Sequence, residues 1–595
     1  MRLWSISTTV RNPERILPFL KVLKLLEGQP FDKNNQMKYQ ILLIQHKLYK
    51  PTNIPNKYKE IFADPTKEIS FEIAKEVFHS QQYEDPSMRG RNSASPITKL
   101  GFSIARETTG ATQITQLGNK FINGEFEIGY AFFKSLLKLQ FPNPWSTDFK
   151  TEDGFDVAPF IAALHLINRV NQNSEKRGLT QNEFSLFVPS LINHNLIDNY
   201  VERILEYRKS KDKQKFIYKF AQEFYKTKTP SEKQIKNFFE YGDNTMRYFR
   251  LTRYFKVSAD SFGADWRIDI EPTRQIEVNQ ILQKFNGEAF QFKTTVDYLK
   301  YISDISLPKL PSEDLSNSIK IATSLVETIF AFAKNSTTEF LKEEESVLSA
   351  DYKKFNKQEI DNYILRLRQI NLDLKDRKAK TVIVNNEVRI KEIVSLLKDT
   401  KAIRKISPEK FEQLLSDSLK IINDEIKIKP NYPVDDDGEP ISHAAGGQAD
   451  IECFYKTFNA ICEVTLDTSN FQWVRESQPV MRHLREFENK FSNLQSYCLF
   501  IAPKVHDDTL YHFWTSIKHG YNGSPQRIVP MTTEQFAILL ETLLLLLKKG
   551  KRYNHTDVET LYGGIIDLTN KIKKHSDWIF AIDKVLFDWK NKISA

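Results

Sequence analysis

Between His443 and His483 the chain carries two runs of β pattern joined by a link too short for anything but a hairpin. The first run, Ile451 to Tyr455, is headed by Asp450; the second, Phe458 to Leu466, contains Glu463; only Lys456-Thr457 lies between them. Two-residue links join antiparallel strands, so the spacing predicts that Asp450 and Glu463 meet at one edge of a sheet. Paired carboxylates so placed can hold a hard divalent cation. A cation held there can activate a water and offset charge on a phosphoryl group. The bland reading is two solvated acids at strand ends, which spacing alone does not exclude.

The flanking pattern extends the frame. Ser407-Pro408-Glu409 opens an amphipathic helix with Phe411, Leu414, Leu415, Leu419 and Ile422 on one side and Glu412 near its start. Pro479 suits the first turn of a helix carrying Val480, Leu484 and Phe487. Glu476 precedes that helix and His483 lies within it; the strand Tyr497 to Ala502 follows. The order helix, hairpin, helix, strand is that of the PD-(D/E)xK nuclease core, an analogy of fold order. The third position of that motif, usually Lys, is Thr465 here. Threonine carries no charge to orient a water, so the generic match is incomplete.

Separate blocks along the chain, HAAGGQAD, ICEVT, ESQPVMRH and YCLFIAP, together resemble the catalytic domain of the AlwI-type family of type IIS restriction and nicking endonucleases. TTVRNPERI (Thr8 to Ile16) resembles the family's opening, and RYFRLTRYF (Arg247 to Phe255) a segment of its recognition region. The family has Thr where the generic motif has Lys, so Thr465 fits it. The resemblance implies that Asp450 and Glu463 are metal ligands, with Glu412 completing or extending the acidic site and Val464 offering its carbonyl. It implies that Glu476 and His483 are the remaining active-site residues, one of them orienting the attacking water. Mg²⁺ is the implied cofactor and double-stranded DNA the implied partner. A second active site, from a homodimer or a small nuclease subunit, and a cognate DNA methyltransferase in the same system are further implied partners.

Charge agrees with a division of labour. Residues 401–595 hold 25 Lys+Arg and 26 Asp+Glu; residues 1–400 hold 60 and 50, so the basic excess lies outside the proposed cleaving domain. That suits an N-terminal region that grips phosphates, although a lysine-rich surface would give the same count. The densest basic stretch, 201–260, holds 15 Lys+Arg against 8 Asp+Glu. Within it Arg247, Arg250 and Arg253 flank Tyr248, Phe249, Tyr254 and Phe255. These arginines, with Arg89 and Arg91 of SMRGRNSASP, are the candidate DNA contacts; the alternative is a solvated helix face. The aromatic residues recur at helical spacing and read as core.

At 595 residues the chain exceeds one hydrophobic core, so several domains are expected. Residues 1–175 contain a helix end, a strand, a Glu-Thr-Thr-Gly turn and a second strand around 97–118, a winged-helix-like pattern. A second winged-helix-like unit is expected over 176–306. Leu307 to Pro311 marks a boundary, Ser312 caps a helix, and 307–400 reads as a glycine-free helical linker. Residues 401–595 form the expected α/β PD-(D/E)xK-like nuclease domain, giving an α+β multidomain protein.

Asp435-Asp436-Asp437-Gly438 reads as a solvated turn. Cys453, Cys462 and Cys498 fall in expected strands, fit no disulfide framework and read as reduced core residues of a cytoplasmic protein. Phe536 to Leu547 is too short to span a bilayer and reads as a buried helix entered by a Thr532-x-x-Gln535 capping box, so no membrane association is expected. There is no P-loop, dinucleotide fingerprint or zinc-ligand cluster. The combined expectation is a Mg²⁺-dependent type IIS restriction endonuclease. A strand-specific nickase or the large subunit of a heterodimer is the near alternative, and a non-catalytic DNA-binding regulator is the distant one.

Overall fold

The computed structural model describes residues 2–7, 9–63, 67–125, 128–258, 267–422, 424–436, 438–444, 448–469 and 471–594. Thr8 of the opening block, Asp437 of the acidic run and residues 445–447 of HAAGGQAD lie outside the described residues. The chain packs into two compact units. One comprises Met1–Asn56, Ile69–Leu372 and Asp435–Glu439; the other comprises Lys57–Glu68, Asp373–Val434 and Pro440–Ala595.

The first unit is mainly helical. Helix Pro86–Lys99 starts where the Asp85 carboxylate accepts the Met88 N–H, with Pro86 in the first turn. It carries the Arg-Gly-Arg sequence. A Cβ on Gly90 would lie 1.8 Å from the carbonyl oxygen of Gln36, so only glycine permits this close crossing with helix Lys33–Gln45. The expected strands after it exist but are only two residues each, β1 (Ser103–Ile104) and β2 (Gln113–Ile114), paired antiparallel. Thr115 then caps helix Gln116–Ile122. A second antiparallel sheet has β3 (Leu179–Thr180) and β4 (Phe255–Ser258) on either side of β5 (Arg267–Ile270).

Helix Glu232–Leu251 feeds β4, and the four aromatic residues at this junction are core, as their spacing predicts. Tyr248, Phe249, Tyr254 and Phe255 are all buried. Phe249 stacks on Phe255 at 5.5 Å and meets Phe160 edge-on at 5.0 Å, while Tyr254 stacks on Phe133 at 4.1 Å. Such ring pairs add directional packing to the area they remove from water.

Residues 307–372 belong to this unit. Helix Leu315–Ser336 is entered at Asp314 rather than at Ser312, which lies in a short turn, Pro311–Glu313, and accepts the Ser318 hydroxyl on its carbonyl. Helix Lys342–Leu348 follows in this unit, helix Lys357–Val384 runs across the division at Leu372, and helix Glu387–Lys398 belongs to the second unit.

The acidic run corrects a sequence expectation. Gly438 does turn the chain at φ +86°, but Asp435 and Asp436 are buried rather than solvated. Asp436 Oδ2 accepts from Arg274 Nε at 2.8 Å and Arg368 Nη1 at 3.1 Å, all within the first unit. Burial pushes this carboxyl up, but the two guanidinium groups outweigh it and hold it at about 2. The partners lie far away in sequence, so composition around the turn says nothing of them.

The second unit is built on a five-stranded mixed sheet: β6 (Lys427–Pro430), β7 (Ile451–Phe454), β8 (Phe458–Val464), β9 (Gln495–Ala502) and β10 (Ile528–Thr532), in the spatial order β10-β9-β8-β7-β6. β6, β7 and β8 run antiparallel to their neighbours; β8, β9 and β10 run parallel. The β7–β8 hairpin closes with Tyr455 N–H donating to the Phe458 carbonyl, so Lys456 and Thr457 form its turn. Strands β6 and β10 were not expected from sequence. The sheet core includes Ile451, Ile461, Phe500, Ile501 and Val529. Helices Pro408–Ile422, Gln478–Lys490 and Thr533–Leu547 add Phe411, Leu484 and Phe536 to it. Helix Thr533–Leu547 has the expected capping box, and the three cysteines are buried and free. Among the described residues no helix is long and apolar enough to cross a membrane.

Candidate active site

Asp450 immediately precedes β7, and Glu463 is the penultimate residue of β8. Because Ile451 pairs with Cys462, the antiparallel register puts both acids at the same end of the hairpin. Asp450 Oδ2 accepts the Val464 N–H at 2.8 Å, which locks the loop before β7 onto the end of β8. The Asp450 backbone N–H in turn favours the ionised Glu463 carboxylate, so each acid is engaged by the other's strand. Glu463 Oε1 lies 2.8 Å from His483 Nδ1, which ties β8 to helix Gln478–Lys490.

The turn before that helix has a local cause. Pro479 lies in its first turn, as expected. Proline has no N–H to donate four residues back and its ring crowds that carbonyl. The chain enters through a wide π turn, Trp473–Ser477, in place of a regular α turn. Glu476 lies in this turn and hydrogen-bonds Thr465, the residue at the motif's lysine position. Glu412, buried on helix Pro408–Ile422, accepts the Ala444 N–H through Oε2 at 2.9 Å and so braces the segment leading to Asp450.

The electrostatics are those of crowded acids. The Asp450 carboxyl is pushed well up by burial and then by the charge of Glu463, against the Val464 N–H that favours its ionised form. Glu463 is pushed well up by burial, then by Glu476, with Glu412 adding to the effect and Arg482 opposing it. Glu476 is raised by burial, against its bond to Thr465. His483 is pushed down, first by burial and then by Arg482. These five residues, Glu412, Asp450, Glu463, Glu476 and His483, come from five different segments and are coupled through hydrogen bonds and charge. Among the described residues no three His, Cys, Asp or Glu side chains close around one point. Two adjacent carboxylates still suit a hard cation such as Mg²⁺, which keeps several waters and takes substrate oxygens as further ligands.

Two residues of this region were not found from sequence. Gln472 is fully buried; its amide donates to the carbonyls of Asp467 and Lys504 and its oxygen accepts the His506 N–H, pinning the segments that follow β8 and β9 to each other. Arg482 stands beside His483, with Nη2 3.4 Å from Nε2. Nothing local in sequence marks either. His506 caps helix Asp507–His519 and His512 stacks on Trp473 at 5.3 Å.

The candidate DNA-contacting arginines lie on two helices of the first unit and the turn after one of them. Arg89 and Arg91 flank the buried Gly90 on helix Pro86–Lys99 and are exposed. Arg89 covers the Tyr83 ring at 4.6 Å and Arg91 pairs with Asp85 at 3.2 Å. Arg247 is exposed on helix Glu232–Leu251 and pairs with Asp243 at 3.1 Å. Arg250 and Arg253 are half-buried; Arg253 sits at φ +62° and its charge acts on Asp436.

A family match over most of the chain defines the class of protein: this is a restriction endonuclease, a site-specific DNA nuclease. Residues 98–539 match the profile described as AlwI restriction endonuclease, and the chain belongs to that family. No curated protein matches it. Among solved structures it is similar to the small subunit (R.BspD6I2) of the heterodimeric restriction endonuclease R.BspD6I, with 22% identity over 34% of this chain and 98% of that one, at a TM-score of 0.27. The BpuJ1 endonuclease binding domain, in complex with modified DNA, matches with 12% identity over 51% of this chain and 98% of that one, at 0.34. Restriction endonuclease FokI matches with 10% identity over 94% and 99%, at 0.23. At these scores the likenesses define neither fold nor site.

Proposed function

We propose that the protein is a type IIS restriction endonuclease that binds a short asymmetric site in double-stranded DNA and hydrolyses a phosphodiester a few base pairs outside it. The observation that carries this reading is the convergence of Asp450 and Glu463 at one end of the β7–β8 hairpin, each with one oxygen held in place by the protein. We read the second unit's sheet and helices as a PD-(D/E)xK-like nuclease domain, and the basic N-terminal segments 1–175 and 176–306 as winged-helix-like recognition units. In this reading 307–400 spaces the two functions and 401–595 cleaves.

Asp450 and Glu463 would hold Mg²⁺, with the Val464 carbonyl and Glu412 extending the site. Bound there, the ion makes a water more acidic and offsets charge on the phosphoryl oxygens. His483 fixes the Glu463 carboxylate through Nδ1. Glu476, placed by the π turn and held to Thr465, is the candidate to orient the attacking water. Hydrolysis leaves a 5′-phosphate and a 3′-hydroxyl.

One set of carboxylates cuts one strand, so a double-strand break needs a second site, from another copy or a small nuclease subunit. A nicking enzyme or the large subunit of a heterodimer is therefore the second reading. Incubation with supercoiled plasmid, with Mg²⁺ or with chelator, tests the proposal. Metal-dependent linear product cut at a fixed offset from one short sequence supports it, and open circles favour the second reading. Cleavage unaffected by chelator contradicts the metal site.

A further inference from the structure

The site lacks the positive charge that lysine supplies in the generic motif, because Thr465 stands there and is engaged by Glu476. A phosphodiester in attack gains negative charge on its nonbridging oxygens, and two or three crowded carboxylates would repel it. A cation of the chain beside the site would share with the metal the work of offsetting that charge. Helix Gln478–Lys490 brings one. His483 points inward to Glu463, and the neighbouring Arg482 emerges beside it with its side chain 46% exposed. Its Nη2 lies 3.4 Å from His483 Nε2, and its charge reaches Glu463, whose carboxyl it favours in the ionised form. Arg482 forms an ion pair with Glu486 on the same helix at 3.8 Å, an exposed contact weak enough for a phosphate to displace. Arg485, further along the same helix, is by contrast committed to the carbonyls of Tyr521 and Ser524.

We propose that Arg482 binds a nonbridging oxygen of the scissile phosphate and takes the place of the missing motif lysine. The inference rests on the nuclease reading above and adds a residue to it. Arg482 is permanently charged and neither gives nor takes a proton; it acts by hydrogen bonds and charge on the phosphate as attack proceeds. A guanidinium suits that role because its planar fork matches two phosphate oxygens.

The test is single-turnover cleavage by full-length Arg482→Ala and Arg482→Lys at saturating enzyme, as a function of Mg²⁺, with site affinity measured in parallel. Removing a donor aimed at developing charge costs about 10²–10³ in rate. Arg482→Ala is expected to lose about 100-fold in the rate at saturating Mg²⁺, with site affinity within about threefold and half-saturating Mg²⁺ unchanged or lower. Arg482→Lys should recover part of the loss. A rate within about threefold of wild type overturns the inference. So does a defect cured by raising Mg²⁺, which would mean that Arg482 acts only through Glu463. Asp450→Ala, run alongside, separates the two levels: if it is inactive while Arg482→Ala is fully active, this inference alone fails, and if Asp450→Ala cleaves normally, the metal-site reading fails with it.

Discussion

His483 Nδ1 and Glu463 Oε1 are 2.8 Å apart inside the protein, and that contact joins helix Gln478–Lys490 to strand β8. Burial and Arg482 hold the imidazole below its usual range, so at neutral pH the ring is neutral. With its proton on Nδ1 the ring donates a hydrogen bond to Glu463 Oε1, and Nε2 faces Arg482. The histidine thus fixes how the Glu463 carboxylate is presented to a ligand.

Loss of that support, or of the candidate water-orienting acid, should show in the chemical step. His483→Ala and Glu476→Gln are each expected to slow single-turnover cleavage by at least about 100-fold, with DNA binding retained. Near-normal rates in both would mean that the bound metal suffices to activate the water.

The crowded acids should also weaken the metal-free fold. Asp450 has a carboxyl raised above its unfolded value, so the folded state binds the proton more tightly, and its contribution to stability falls as pH rises from the ordinary carboxylate value up through the raised one. Asp450→Asn keeps an oxygen for the Val464 N–H and removes the charge. In chelator at neutral pH its melting temperature should exceed that of the wild type, and the gain should vanish toward pH ~3. A lower melting temperature at neutral pH would contradict this account of the site.

Asp436 has the opposite sign. Its carboxyl, held at about 2, adds stability above the unfolded carboxylate value that is lost as pH falls from about 4 to 2. The shift corresponds to about 2 kcal/mol. Denaturant unfolding of Asp436→Asn should show a loss of that order at neutral pH that shrinks in acid. A loss independent of pH would mean that packing, not the Arg274 and Arg368 charges, holds the segment.

What could be read in the sequence was local. The Lys456-Thr457 hairpin, the Thr532–Gln535 capping box and Pro479 at a helix start are each set by a few neighbouring residues, and each is found. The five acidic and histidine positions came from the spacing and the family blocks, and the structure brings them to one region. Strand β6 escaped notice because Lys-Ile-Lys-Pro has one apolar residue; it is a strand through pairing with β7 across an intervening loop. The burial of Asp436 depends on Arg274, far upstream, and the placement of Arg482 depends on how a helix is turned against the sheet. Neither relation leaves a local pattern.

The arginines flanking Gly90 and those after Gly242 are expected to touch phosphates. Removing any one of these side chains should weaken DNA binding and lower the slope of log affinity against log salt by about one. Titrations of Arg89→Ala and Arg247→Ala at several salt concentrations check this, and an unchanged slope in both would mark them as ordinary surface residues.

The most direct test of the central claim is cleavage and binding by Asp450→Ala and Glu463→Ala on one DNA carrying the mapped site. The account predicts that both lose cleavage at every Mg²⁺ concentration while site affinity stays close to that of the wild type, because it assigns the grip to the basic N-terminal region. Cleavage at the wild-type rate by either variant would contradict it.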